Sequence, residues 1–191
     1  MKLPTQLNGA SSMRRAEFTA GRYCALNVLS NLRSDSDEVR IGPHGEPVWP
    51  DGVVGSITHS GDLAIAAATL VTLHRGLGVD FEHVIKSEAI AEIESIVLTP
   101  NEINFCRKCI DFSYTVTLLF SCKESVSKAI FKYVGRYMDF KEIELAAMYN
   151  EFALFRPLGP LIVDFQGAVF KVYHRNASGG AMTVCLLDSD T

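Results

Sequence analysis

No apolar run in this 191-residue sequence approaches the ~20 residues that cross a bilayer. The longest, residues 63–73, is broken by Thr69 and Thr72 and reads as a buried core strand. The start, Met1-Lys2-Leu3-Pro4-Thr5, has no apolar stretch leading to a small-residue cleavage site, so no export signal is expected. Basic charge is also scarce. Lys and Arg total 18 against 22 Asp and Glu, a formal net charge of -4, which argues against a life on duplex phosphate. No nucleic-acid partner and no transmembrane segment are therefore expected. The five cysteines are an odd set without framework spacing, which excludes a disulfide scaffold and points to a reducing, cytoplasmic compartment. The familiar phosphate-binding loops are missing too. There is no Gly-x4-Gly-Lys-Ser/Thr, and Gly76-Leu77-Gly78 lacks a third glycine and precedes its strand where a dinucleotide fingerprint would follow one. Cys106 and Cys109 lack the two further ligands of a zinc site and read as small residues one helical turn apart.

What is present suits an ordinary globular protein: 48% hydrophobic and 21% charged residues, enough for one large domain or two small halves. Phe18, Ala25, Val28, Leu29 and Leu32 recur at helical spacing and predict an amphipathic helix over 14–32, with Arg15 and Arg22 along the edge of its apolar face. A loop rich in Gly and Pro follows over 34–50, then short strands at 53–57 and 63–73. Leu77, Val79 and Phe81 alternate with Gly78, Asp80 and Glu82, so period two places the two acids on one face. A short helix is expected over 87–96. Thr99-Pro100-Asn101-Glu102 forms a capping box that starts another, and a long helix covers 116–134. Strands at 161–165, 168–175 and 181–187 read as an antiparallel meander.

Four constellations carry chemistry. Asp80 and Glu82, side by side, repel unless a cation or water separates them, and Mg²⁺ suits their oxygens; a strand end meeting solvent is the plainer reading. In Phe120-Ser121-Cys122-Lys123-Glu124-Ser125-Val126-Ser127-Lys128, Glu124 stands between two ammonium groups. Either Glu124 and Lys128 form an exposed i,i+4 ion pair, or the carboxylate reaches a metal while the lysines flank a pyrophosphate. Arg22, at the rim of an apolar face, needs a bidentate anion, carboxylate or phosphate. His59, in the turn Gly55-Ser56-Ile57-Thr58-His59-Ser60, donates to phosphate or is satisfied by nearby backbone.

Taken in order along the chain, these motifs resemble the 4'-phosphopantetheinyl transferases, in particular the enterobactin-synthetase-associated type that activates carrier domains of siderophore synthetases. The resemblance runs through Arg14-Arg15-Ala16-Glu17, Gly21-Arg22, Gly45-Glu46-Pro47-Val48-Trp49-Pro50, Gly55-Ser56-Ile57-Thr58-His59-Ser60, Gly78-Val79-Asp80-Phe81-Glu82 and Phe120-Ser121-Cys122-Lys123-Glu124-Ser125 with Lys128. Phe81 replaces the usual isoleucine or valine, Phe120 a tryptophan and Thr58 a serine.

The resemblance implies an α+β fold of two similar halves in pseudo-twofold arrangement, residues 1–77 and 78–191, each a small sheet packed with helices, with the site in the cleft between them. It implies that Asp80, Glu82 and Glu124 bind Mg²⁺, that Glu124 and Lys128 are catalytic, and that Arg14, Arg15, Arg22, Gly45, Glu46, Pro47, Thr58, His59, Lys123 and Lys128 bind coenzyme A. Gly45, Glu46 and Pro47 would shape the adenine end, Arg22 and His59 hold the 3'-phosphate, and Lys123 and Lys128 neutralise the pyrophosphate. The implied reaction moves phosphopantetheine from coenzyme A to a serine of an apo carrier protein and releases adenosine 3',5'-bisphosphate, the enzyme acting as a monomer. A Mg²⁺-dependent phosphohydrolase acting on coenzyme A-like diphosphates and a noncatalytic coenzyme A binding module are the alternative readings.

Overall fold

The computed structural model describes residues 4, 7–32, 34, 36 and 38–188. The first helix, α1 (Ser12–Asn31), begins where the Ser11 hydroxyl accepts the Arg14 N–H at 3.1 Å. It buries Gly21, Arg22, Ala25 and Leu29, the face expected from its periodicity plus one charged residue. Two small strands, β1 (Arg40–Ile41) and β2 (Pro47–Val48), pair antiparallel. A longer hairpin of β3 (Val53–Ser60) and β4 (Leu63–Leu70) packs beneath α1. Gly21 permits that contact, because a Cβ there would lie 2.7 Å from Ile57 Cγ2. Ala25, Leu29, Val39 and Val53 form this core, with Trp49 and Ile57 against it. The segment 63–73 is not the buried strand its composition indicated. β4 ends at Leu70 and is half-buried along its length, since it is the outer strand of a two-stranded sheet, while Leu70, Val71 and Leu73 are exposed.

The rest of the chain builds a five-stranded antiparallel sheet in the order β5-β9-β8-β7-β6. Its strands are β5 (His74–His83), β6 (Ile143–Met148), β7 (Phe152–Pro157), β8 (Phe170–Ala177) and β9 (Gly180–Asp188). Helices α2 (Ser87–Val97), α3 (Pro100–Cys106) and α4 (Phe112–Val134) lie between β5 and β6 in sequence. α4 crosses one face of the sheet, where Val116, Leu119, Cys122, Val126 and Ile130 meet Phe155, Val172 and Cys185 in the main core. Its ends are set by Asp111, whose side chain accepts the Tyr114 N–H, and by Gly135, left-handed at φ 68°. The architecture is therefore α+β, each half laying one long helix across antiparallel strands, the second half much the larger.

Two sequence expectations in this half need correction. The sequence pattern does not predict β6 and β7, which with β8 and β9 complete a four-strand meander. Residues 161–165, expected as a strand from their apolar run, form the short helix α5 (Leu161–Asp164). Leu161 and Phe165 are buried four residues apart while Ile162 and Val163 face solvent, a helical and not a period-two pattern. β5 contains Leu77, and its pairing with β9 ties residues 74–83 to the second sheet.

Candidate functional site

β5 is buried on both faces from Gly76 to Phe81. On one side Leu77, Val79 and Phe81 are apolar; on the other α4 lies directly against Gly76 and Gly78. A Cβ at Gly78 would fall on the Ser125 carbonyl oxygen and 2.8 Å from the Ala129 nitrogen. These glycines are helix-packing positions, and the close approach they allow brings α4's Glu124 and Lys128 to the acids of β5.

There the Lys128 ammonium donates to Asp80 Oδ1 at 2.6 Å and to the Val79 carbonyl at 3.4 Å, and stands 3.9 Å from Glu124 Oε2. Asp80 is only 1% exposed. Its Oδ1 also accepts from the Thr58 hydroxyl at 2.8 Å, whereas its Oδ2 is buried with no partner. Glu82 Oε2 accepts from the Ser60 hydroxyl at 3.0 Å. Burial first, then the charge of Asp80, pushes the Glu82 carboxyl up to about 7, against the opposing pull of Ser60 and Lys128. Burial also raises Glu124; Lys128 draws it down and Asp80 adds to the rise. One ammonium thus serves both Asp80 and Glu124 while Glu82 feels the charge of all three, the electrostatic condition that a further cation relieves.

Among the described residues no three Asp, Glu, His or Cys side chains converge as a ready-made metal cage. The donor chemistry nevertheless fits Mg²⁺: hard oxygens, one of them a buried orphan, in a set left open for water and substrate oxygens. Glu124 and Lys128 also line a cavity of about 730 Å³ enclosed by the 43–49 loop, β3, the start of β5 and α4. Gly45, Glu46 and Pro47 line it too, with Trp49, Lys132 and Tyr137. Glu46 is turned back into its own loop, where Oε2 accepts the His44 N–H at 2.8 Å. The Tyr137 hydroxyl ties this loop to the end of α4 by donating to the His44 carbonyl at 3.1 Å.

A second cavity of about 110 Å³ shares Gly45 and Pro47 with the first and is lined by Arg14, Phe18, Arg22 and His59. The Arg22 guanidinium is buried above the Phe18 ring at 5.0 Å, one terminal nitrogen donating to the Arg40 carbonyl at 3.1 Å and the other, Nη1, unpartnered. Burial lowers its pKa. His59 Nε2 meets Arg14 Nη1 at 2.9 Å, and its Nδ1 faces Glu17 Oε2 at 3.8 Å. Because the guanidinium only donates, Nε2 accepts and the proton lies on Nδ1. Arg15 lines neither cavity.

Lys123 does not join this group. Its Nζ is wholly buried among Glu102 Oε2 at 2.7 Å and the carbonyls of Val97, Phe140 and Ile143 at 2.9, 2.9 and 3.0 Å. The expectation that it neutralises a pyrophosphate fails on geometry, since one residue along a helix turns a side chain by about 100° and Glu124 already faces the site. Thr58 is likewise engaged by Asp80. Sequence reasoning passed over Ser56 and Ser60, although Ser56, Thr58 and Ser60 alternate along β3 and so share a face.

Two carboxylates sharing an ammonium thus stand at a large cavity, next to a smaller one lined by a buried arginine with a free N–H. The description "4'-phosphopantetheinyl transferase N-terminal domain" matches residues 3–69, and "4'-phosphopantetheinyl transferase superfamily" matches residues 76–177, more than half of the chain. The chain belongs to the 4'-phosphopantetheinyl transferase superfamily. It is 36% identical over 125 residues to enterobactin synthase component D of Escherichia coli O157:H7, a match covering 65% of this chain and 58% of that protein. It is 32% identical over 133 residues to the 4'-phosphopantetheinyl transferase Npt of Nocardia iowensis, covering 69% and 59%. The matched region thus spans less than two thirds of these curated relatives. Among solved structures, the Chronobacterium ammoniagenes ACPS-CoA complex aligns with a TM-score of 0.47 at 18% identity over 59% of this chain and 96% of that one. No helix among the described residues is long and apolar enough to cross a membrane.

Proposed function

We propose that this protein transfers the 4'-phosphopantetheine group of coenzyme A to a serine of an apo carrier protein, as a cytoplasmic monomer that depends on Mg²⁺. The observation that carries the reading is the Lys128 ammonium between Asp80 of β5 and Glu124 of α4, with Glu82 two residues on from Asp80, at the edge of a cavity that adjoins the Arg22 pocket. Asp80, Glu82 and Glu124 would hold Mg²⁺, which when bound supplies positive charge to the diphosphate. Arg22, with its free Nη1, and the His59 region receive the 3'-phosphate, and the wall of Gly45, Glu46 and Pro47 borders the adenine end. Lys128 neutralises charge developing on the leaving group. Glu124, raised by burial, takes the proton of the carrier serine as its oxygen bonds to the β-phosphorus. The bond from that phosphorus to the bridging oxygen breaks, and adenosine 3',5'-bisphosphate departs. Positioning and charge neutralisation do most of the work in such a transfer.

The test is the release of adenosine 3',5'-bisphosphate from coenzyme A. Release only when an apo carrier domain is present supports transfer. Equal release without a carrier contradicts it and identifies a hydrolase; no release with any carrier leaves a binding module.

A further inference from the structure

β3 and β5 belong to different sheets, yet they run side by side in the same direction. What joins them is a ladder of hydroxyls: Ser56 donates to the Val79 carbonyl at 3.4 Å, Thr58 to Asp80 Oδ1 at 2.8 Å and Ser60 to Glu82 Oε2 at 3.0 Å. The two carboxylate bonds keep a constant separation of 22 residues in sequence. That step matches period two on both strands, so it is a built register and not two isolated contacts. The first half of the molecule thereby holds one oxygen of each acid carried by the second. At Asp80, where Thr58 and Lys128 both occupy Oδ1, the other oxygen is left buried and free.

From this geometry we infer that Thr58 and Ser60 are positioning residues for the cation site: each fixes its carboxylate's rotamer and so aims the remaining oxygen. The inference rests on the Mg²⁺ reading of Asp80, Glu82 and Glu124. It removes Thr58 from the coenzyme-binding set and gives Ser60 a role. A hydroxyl donating to a carboxylate is a charge-assisted bond that orients the acceptor, and outer partners of metal ligands commonly govern affinity by 10- to 100-fold.

The experiment is a Mn²⁺ titration of the full chain without coenzyme A, followed by electron paramagnetic resonance of the free ion. Melting curves check that each variant folds, and coenzyme A binding is measured separately without metal. Thr58→Val and Ser60→Ala remove a donor with little change of shape; Thr58→Ser and Ser60→Thr keep it. The expected result is affinity for Mn²⁺ about tenfold weaker in the first pair and near wild type in the second, with coenzyme A binding unchanged throughout. If the wild type binds Mn²⁺ and the donor-free variants bind it equally well, the positioning role is overturned while the metal reading stands. That role is overturned in the same way if the donor-keeping variants lose as much affinity, or if Thr58→Val weakens coenzyme A instead. A wild type that binds no Mn²⁺ overturns the metal reading and this inference with it.

Discussion

Replacing Lys123 by methionine tests whether this lysine serves the fold or the coenzyme. The substitution keeps an unbranched chain of similar length but removes an ammonium that is 0% exposed and surrounded by Glu102 and three carbonyls. Burial already pulls the Lys123 pKa down, and Glu102 is its main compensation. After the change the Glu102 carboxylate, 1% exposed, keeps the N–H groups of Thr99 and Leu145, both at 2.8 Å, but no counter-charge. Breaking a buried pair from one side costs about 3 to 5 kcal/mol, and the two remaining donors argue for a value of about 4. For a chain of this length that lowers the melting temperature by about 8 to 16 °C. Urea unfolding and thermal melts read the stability, and coenzyme A titration of folded protein reads the site. Stability within about 1 kcal/mol of wild type together with a large loss of coenzyme A binding would refute this assignment.

Other expectations concern the phosphate pocket and the acid limb. Dephospho-coenzyme A, which lacks the 3'-phosphate, should bind about ten- to a hundredfold more weakly than coenzyme A, and Arg22→Ala should cost a similar factor with coenzyme A but little more with the dephospho form. Fully additive losses in calorimetric titrations would instead assign Arg22 to internal contacts alone. Burial pushes the Glu144 carboxyl up, but hydrogen bonds from Arg156, Thr99 and Asn101 outweigh it and hold the group below its ordinary 4.5. The folded state then binds that proton less tightly than the unfolded chain, so the stability Glu144 contributes is present above pH 4.5 and is lost as the pH falls below it. Glu144→Gln should show a shallower fall of the urea midpoint across that range; a slope equal to wild type would contradict this.

Local patterns carried much of this structure in readable form, and long-range ones did not. The capping box of Thr99 and Glu102 is present as the sequence spells it, with both reciprocal bonds formed. Nothing local, however, announces that Glu102 also meets Lys123 and the Leu145 N–H from 21 and 43 residues away. Period two put Asp80 and Glu82 on one side, and i,i+4 spacing brought Lys128 to Glu124, because each rule involves one element. Its place in the motif points Lys123 at the site, although neighbouring positions on α4 point in different directions. β6 was hidden because Leu145-Ala146-Ala147-Met148 has the composition of a helix, and pairing with β7 overrides that preference. Cys106 and Cys109 do not share a helix: α3 ends at Cys106 and Cys109 lies in the turn beyond it, with burial pushing Cys106 up to about 12.

The most direct test is the intact mass of an apo carrier domain incubated with coenzyme A, Mg²⁺ and this protein, run beside Asp80→Asn and Glu124→Gln. Each substitution deletes a carboxylate charge from the site without opening a cavity. The account predicts that wild type adds one phosphopantetheine to the carrier serine, and that both variants remain folded while losing most of that transfer. No mass gain with wild type, or near-wild-type rates in both variants at saturating Mg²⁺, would contradict it.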